Sequence, residues 1–227
     1  MINKFFRIIV EWALSPASVP IVHDPYVCGK ISGYVLRYPR DYVSYWPEYE
    51  GKSSWEVGFN ENKKGCGANL RTLTLVMSWP DMKSARSMNT RSSGFRGVFV
   101  TIRPLLFISQ GVGQVRRTAL QFLTPDQIRN TEYRSDLGLY HVRGYGSLMD
   151  EKYSDFYWGE RDGKINHVIY CLWSNFQQKI SKCRASFLIP ELEAFVEVDF
   201  PFEEINSWHG YVTASADFLK NGLIGSE

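Results

Sequence analysis

The side chains able to act as nucleophiles, general bases or metal ligands are few in this sequence and widely spaced. The cysteines stand at Cys28, Cys66, Cys171 and Cys183, and the histidines at His23, His141, His167 and His209. No two cysteines form a C-x-x-C pair, and no histidine lies in an H-E-x-x-H or other paired spacing. Neither a closed zinc site nor a metallohydrolase centre is therefore written in the chain. His167 and Cys171 are four residues apart, which places them on one face of a strand, where a Cys–His pair can form. A central strand is a poor place for a nucleophile that must meet substrate, and a packed or exposed histidine beside a structural cysteine is the reading this spacing favours. Gly144-Tyr145-Gly146-Ser147-Leu148 approaches a nucleophile elbow but lacks the final glycine. Gly111-Val112-Gly113-Gln114-Val115-Arg116 resembles half of a phosphate-binding loop without its third glycine or a preceding βαβ unit, and reads as a flexible surface turn. The residues name no catalytic, cofactor-binding or metal-binding set.

Cys171 and Cys183 flank a turn near Gln177 and face each other if the two flanking runs pair as a hairpin. Cross-strand cysteines can meet disulfide geometry, and two buried free thiols packing as small hydrophobes are the alternative. An oxidising compartment would favour the disulfide.

The elements that must position these residues are mostly strands. Ile31 to Tyr38 reads as a strand, and Tyr45 to Gly51 as an ordered aromatic loop. Leu70 to Met77 puts Leu73, Leu75 and Met77 on one face and ends at Trp79-Pro80. The polar stretch 83–94 suggests an exposed loop. Val98 to Arg103 is a strand stopped by Pro104. Thr124-Pro125-Asp126-Gln127 predicts a brief helix with a threonine cap and proline in the first turn. Leu139 to Val142 is a further strand. Phe156 to Glu160 and Ile165 to Trp173 form a hairpin around Asp162-Gly163, and Lys182 to Ile189 and Ala194 to Phe200 follow. Ile205, Trp208, Val212, Ala216 and Leu219 fall at helical spacing, with Gly222 as the stop. The expected fold is α+β: an antiparallel β-sheet meander with a C-terminal amphipathic helix packed on one face. Residues 29–227 read as a single domain preceded by an N-terminal segment, 1–28.

That N-terminal segment has Lys4 and Arg7 before an apolar stretch, but Glu11 and Trp12 interrupt it. It reads either as a degenerate export signal or as an amphipathic segment packing on the domain. No run approaches 18 apolar residues, so no conventional membrane-spanning helix is expected. The chain has 227 residues and a formal charge of +2, too small for a binder driven by phosphate neutralisation, so no nucleic-acid partner is expected. Its 7 Trp, 13 Tyr and 14 Phe are the unusual feature, and such a load suits β-rich cores and interaction surfaces.

Several pieces, in order, resemble bacterial immunity proteins associated with type VI secretion, particularly those encoded beside antibacterial lipase effectors. They are Tyr45-Trp46-Pro47-Glu48-Tyr49-Glu50-Gly51, Lys63-Lys64-Gly65-Cys66-Gly67-Ala68-Asn69-Leu70 and Ser78-Trp79-Pro80-Asp81-Met82. Tyr157-Trp158 with Asp162-Gly163, Cys171-Leu172-Trp173, Cys183 with Ile189-Pro190-Glu191-Leu192, and the closing helix at Trp208 complete the set. The resemblance covers residues 40–220. It implies a protein without enzymatic activity or cofactor that binds one cognate protein toxin, a lipase-type effector, and occludes its active site or membrane approach. It also implies a periplasmic location and structural roles for Cys66, Cys171 and Cys183.

A rigid inhibitor binds through exposed aromatic and charged anchors. The candidates are Tyr45, Trp46, Tyr49, Glu50 and Trp55 in one segment, and Asp150, Glu151, Tyr153, Asp155, Trp158 and Glu160 in another. Two further readings stay open at this level: a small envelope-associated ligand-binding protein with aromatics lining a pocket, and a hydrolase whose active site is assembled from scattered residues.

Overall fold

The computed structural model describes residues 24–86, 95–105, 111–145, 153–175 and 177–226. The N-terminal stretch to residue 23, the 87–94 part of the polar loop, and the candidate anchors Asp150 and Glu151 lie outside the described residues.

The chain is α+β. Strands β1 (Tyr26–Ile31) and β2 (Tyr34–Pro39) pair antiparallel, and β12 (Leu223–Ser226) adds to β2 to make a three-stranded sheet. The strand expected from Ile31 to Tyr38 is mostly β2, with Ile31 closing β1 across the turn of a hairpin. Ser32 and Gly33 both take positive φ, 49° and 88°, as a two-residue hairpin turn requires. β1 begins at Tyr26, so the folded unit also takes in Val27 and Cys28.

The second sheet has nine strands in the order β3-β4-β5-β11-β10-β9-β8-β7-β6. Its members are β3 (Glu48–Tyr49), β4 (Leu70–Ser78), β5 (Gly97–Pro104), β6 (Glu132–Arg134), β7 (Leu139–Tyr145), β8 (Tyr153–Arg161), β9 (Lys164–Ser174), β10 (Lys179–Ile189) and β11 (Ala194–Pro201). From β6 to β11 it is a meander. The first three strands join it by antiparallel pairing of β5 with β11, which brings Val100 opposite Val198. This long-range junction is the departure from a simple meander.

Alternation along β4, β5 and β11 sends Leu73, Leu75, Met77, Val98, Val100, Ile102, Val196, Val198 and Phe200 to one buried face. Helix α3 (Trp208–Asn221) packs there through Trp208, Tyr211, Val212 and Leu219. Tyr211 is stacked between Trp79 and Phe200, with ring centroids 3.9 and 4.8 Å away. The Trp208 indole donates to the Leu137 carbonyl at 3.0 Å, and the Tyr38 hydroxyl to that of Leu219 at 2.7 Å. Gly222, after α3, is required by close approach: a Cβ there would lie 2.2 Å from the Tyr38 ring.

On the opposite face a smaller core forms from Val112, Leu123, Val142, Phe156, Trp158, Val168 and Phe195. Val112 belongs to α1 (Gly111–Leu120), the segment that reads as a flexible turn in the sequence. Burial of Val112, with Val115, Ala119 and Leu120 packed alongside, outweighs the low helix propensity of its glycines. Helix α2 (Pro125–Arg129) carries the expected capping box, with Thr124 and Gln127 exchanging side chain and backbone bonds.

Candidate interaction surface

The segment between β2 and β4 has little regular structure but is fixed at many points. The Ser44 amide donates to the Thr74 carbonyl at 3.0 Å, and β3 pairs with β4. The Tyr49 hydroxyl donates to the Cys28 carbonyl at 2.8 Å. Asn62 grips Lys52 from both sides: its carboxamide oxygen accepts from the Lys52 amide at 3.0 Å and its NH2 donates to the Lys52 carbonyl at 2.7 Å. A disulfide between Cys28 and Cys66 ties the far end of the loop to β1. Upon this frame Trp46 and Trp55 are 58% and 95% exposed. Trp46 meets Tyr45 and Phe59 edge to face at 6.4 and 6.5 Å. Tyr45 is exposed as well, Glu50 lies at the surface with its carboxylate accepting from Asn69 at 2.8 Å, and Tyr49 is buried. A cavity of about 780 Å³ opens beside Trp46, with Tyr26, Phe59, Arg40, Lys64 and the Cys28–Cys66 disulfide in its lining.

The second candidate segment is placed differently. β8 lies inside the sheet, between β7 and β9, so it is not an edge. Asp155 is 1% exposed and Trp158 4%, which removes both from direct contact with a partner. The Trp158 ring is stacked on Tyr140 at 5.7 Å, with the Arg116 guanidinium 4.4 Å from its centroid and its N–H donating to Glu160 at 3.1 Å. Tyr153 and Glu160 are exposed at opposite ends of the strand. β3 is first and β8 seventh in the strand order, so five strands of the sheet lie between the two segments.

Asp155 is the buried centre of a polar cluster, with exposed outer members, that sequence spacing does not reveal. Arg143 donates to its two oxygens at 2.8 and 2.9 Å, and His141 Nε2 lies 2.9 Å from it. His141 Nδ1 is 3.1 Å from Glu132, and its ring stacks on Tyr157 at 4.6 Å. Burial disfavours the charged imidazole, but hydrogen bonds to Asp155 and Glu132 outweigh it and raise its pKa. Burial likewise opposes ionisation of Asp155, and the bonds from His141 and Arg143 nevertheless bring its pKa below the usual carboxylate value. His167 behaves oppositely: packed against Trp208 at 5.2 Å, its pKa is pushed down to about 4 by burial.

These shifts carry a pH prediction. His141 stabilises the fold fully below the unfolded histidine pKa of ~6.5 and loses that contribution as pH rises through its raised folded value. His167 contributes above ~6.5, and the contribution is lost as pH falls towards about 4. The melting temperature therefore peaks near pH 6.5 in a series from pH 4 to 9. His141→Gln flattens the alkaline limb, and His167→Gln the acidic limb. A profile with both limbs unchanged in these variants would contradict the assignment.

Cys171 and Cys183 are opposite each other in β9 and β10 and form a second disulfide. Cys171 thus presents no thiolate to His167. The two disulfides differ in access: Cys171 and Cys183 are fully buried, whereas Cys66 is exposed. Mild phosphine reduction of the native protein, followed by alkylation and mass spectrometry, is expected to label Cys28 and Cys66 first. Cys171 and Cys183 are expected to react only on unfolding. Simultaneous labelling of both pairs would contradict this order.

Charged groups on the outer face of the central strands are mutually satisfied: Arg184 binds Asp199 at 2.5 and 2.9 Å, Lys182 joins Asp199 at 2.6 Å, and Arg103 pairs with Glu197. Among the described residues no cluster of three or more His, Cys, Asp or Glu is arranged to hold a metal ion. None of the described helices is long and apolar enough to cross a membrane.

The whole arrangement is similar to a solved structure, that of Smlt3025, an immunity protein of the Stenotrophomonas maltophilia type IV secretion system. The match has a TM-score of 0.56 and 16% identity and covers 93% of this chain and 100% of that chain. At that identity the likeness is one of fold, and the fold is thus one that a secretion-system immunity protein adopts. The neighbour belongs to a type IV system, where the sequence resemblance implies type VI. No protein-family model matches the sequence, and no curated protein does.

Proposed function

We propose that this chain is an immunity protein that binds and neutralises a cognate secreted protein toxin without itself catalysing a reaction. The observation that carries this reading is the braced loop between β2 and β4, which holds Trp46 and Trp55 in solvent on a fold shared with an immunity protein. Exposed tryptophan on a scaffold fixed by a disulfide and backbone hydrogen bonds limits the ordering cost of association, and tryptophan is among the residues that dominate binding energy. A complex of the usual size would bury about 1,200–2,000 Å² in total.

The toxin is an envelope-acting effector of the lipase type, as the sequence resemblance implies, and it meets this protein in the periplasm. Two disulfides support an oxidising compartment. The delivery system is type VI by the sequence resemblance and type IV in the structural neighbour, and an immunity role is common to both. Titration of the purified, oxidised chain with the protein encoded by the adjacent reading frame tests the reading. A saturable one-to-one complex is expected, and absence of binding would overturn it.

A further inference from the structure

We propose that the cavity beside the Cys28–Cys66 disulfide is the receptor for a protruding loop of the partner that carries a carboxylate next to an aromatic side chain. This rests on the binding role proposed above and names the chemistry recognised there. The cavity, about 780 Å³, lies in the range of about 300–1,000 Å³ typical of built ligand sites. Its volume exceeds that of any single side chain, and Trp46 belongs at once to its wall and to the exposed aromatic surface. An occupant reaching in from that surface is therefore a loop tip rather than an isolated residue.

The walls specify the chemistry. Tyr26, Trp46 and Phe59 line it with aromatic side chains, one face of the Tyr26 ring being covered by the Arg37 guanidinium at 3.8 Å, and this apolar lining suits an aromatic guest. The polar groups are biased towards positive charge. Arg40 donates to the carbonyls of Asp24 and Tyr26 at 2.7 and 3.3 Å, which hold its guanidinium at the wall. Lys64 is exposed and makes no ion pair among the described residues. Asp24 is the acid of the lining, and its carboxylate already accepts from the Tyr26 amide at 2.9 Å. A carboxylate entering beside an aromatic ring thus meets two cations, Arg40 and Lys64, against the single carboxylate of Asp24, a balance that disfavours an ammonium.

The floor adds rigidity. Val27, Cys28 and Tyr49 are buried, and the Tyr49 hydroxyl binds the Cys28 carbonyl. The recess therefore exists before the partner arrives, and filling it does not require the loop to reorganise.

The test has two arms. In the first, phenylacetate, phenethylamine and dodecanoate are titrated against the full chain while tryptophan fluorescence and backbone amide shifts are followed. Phenylacetate is expected to saturate and to perturb the cavity residues, phenethylamine to bind about tenfold more weakly. The preference should vanish in Lys64→Glu, a change at an exposed side chain that leaves the packing intact. In the second arm the same variant is titrated with the protein from the adjacent reading frame, and a loss of about tenfold in affinity with a shallower salt dependence is expected.

Fragment binding without charge preference, or partner binding unaffected by Lys64→Glu, would overturn the inference and leave the binding role standing. Far tighter binding of dodecanoate than of phenylacetate would also overturn it, by making the cavity a site for a small amphiphile. No complex between the wild-type chain and the neighbouring protein would overturn the binding role and, with it, the assigned guest.

Discussion

Trp46→Ala combined with Trp55→Ala is expected to weaken the complex with the toxin by at least about 2 kcal/mol, roughly thirtyfold, and to leave the fold intact. Both rings are exposed in the free protein, at 58% and 95%, so their removal opens no cavity in either core. What is lost is the apolar and π surface that a partner would bury. Trp55 lies just beyond the Gly51 turn, in a loop held by the Asn62 clasp. The double variant should therefore melt within about 1–2 °C of the wild type, as surface changes do. Calorimetric titration together with a thermal melt separates the two quantities. A loss of affinity accompanied by a large drop in melting temperature would mean that the tryptophans hold the loop instead of meeting a partner.

Asp155→Ala is expected to do the reverse. It should lower stability by about 3 kcal/mol, the low end of the cost of breaking a buried ion pair, because Arg143 is 60% exposed and can turn to water. His141 has no such freedom, with its side chain 13% exposed and its ring held against Tyr157. For a chain of this size the corresponding fall in melting temperature is about 6–12 °C. Affinity per folded molecule should not change, since Asp155 is buried beneath its partners. Denaturant unfolding and titration of the same sample check both halves. An Asp155→Ala protein with wild-type stability and impaired binding would restore that carboxylate as a contact residue.

These opposite expectations mark where sequence and structure part. Tyr49 and Trp158 stand among the candidate anchors in the sequence, beside Trp46 and Trp55, yet both are buried. In β8 the cause is plain: residues 154–159 are all buried, so the two-residue alternation that reveals a half-buried strand is missing. One face of that strand packs on the His141 ring and the other beneath α1, and neither neighbour is close in sequence. β5 alternates over most of its length, and in β4 and β11 polar residues such as Arg71, Thr72, Thr74, Glu197 and Asp199 still break the apolar run, so these strands were legible, as were the cap of α2 and the Asp162-Gly163 hairpin.

The 45–55 loop was legible because its aromatics sit among proline and glycine without a periodic pattern. The cavity beside it was not. Tyr26, Arg40, Phe59 and Lys64 are spread over 39 residues of sequence, and the Cys28–Cys66 link that assembles them joins two positions with no shared motif. In the chain-entropy treatment that link, closing a separation of 38 residues, constrains the unfolded chain by about 4 kcal/mol, and it also shapes the recess.

Cells producing the protein encoded by the adjacent reading frame, directed to the periplasm, provide the most direct measurement of the neutralising role. Co-production of this chain in the same compartment is expected to restore growth, and the Trp46→Ala, Trp55→Ala protein at equal abundance is expected to fail. Continued killing in the presence of folded, disulfide-bonded wild-type chain would contradict the proposal that it neutralises that toxin.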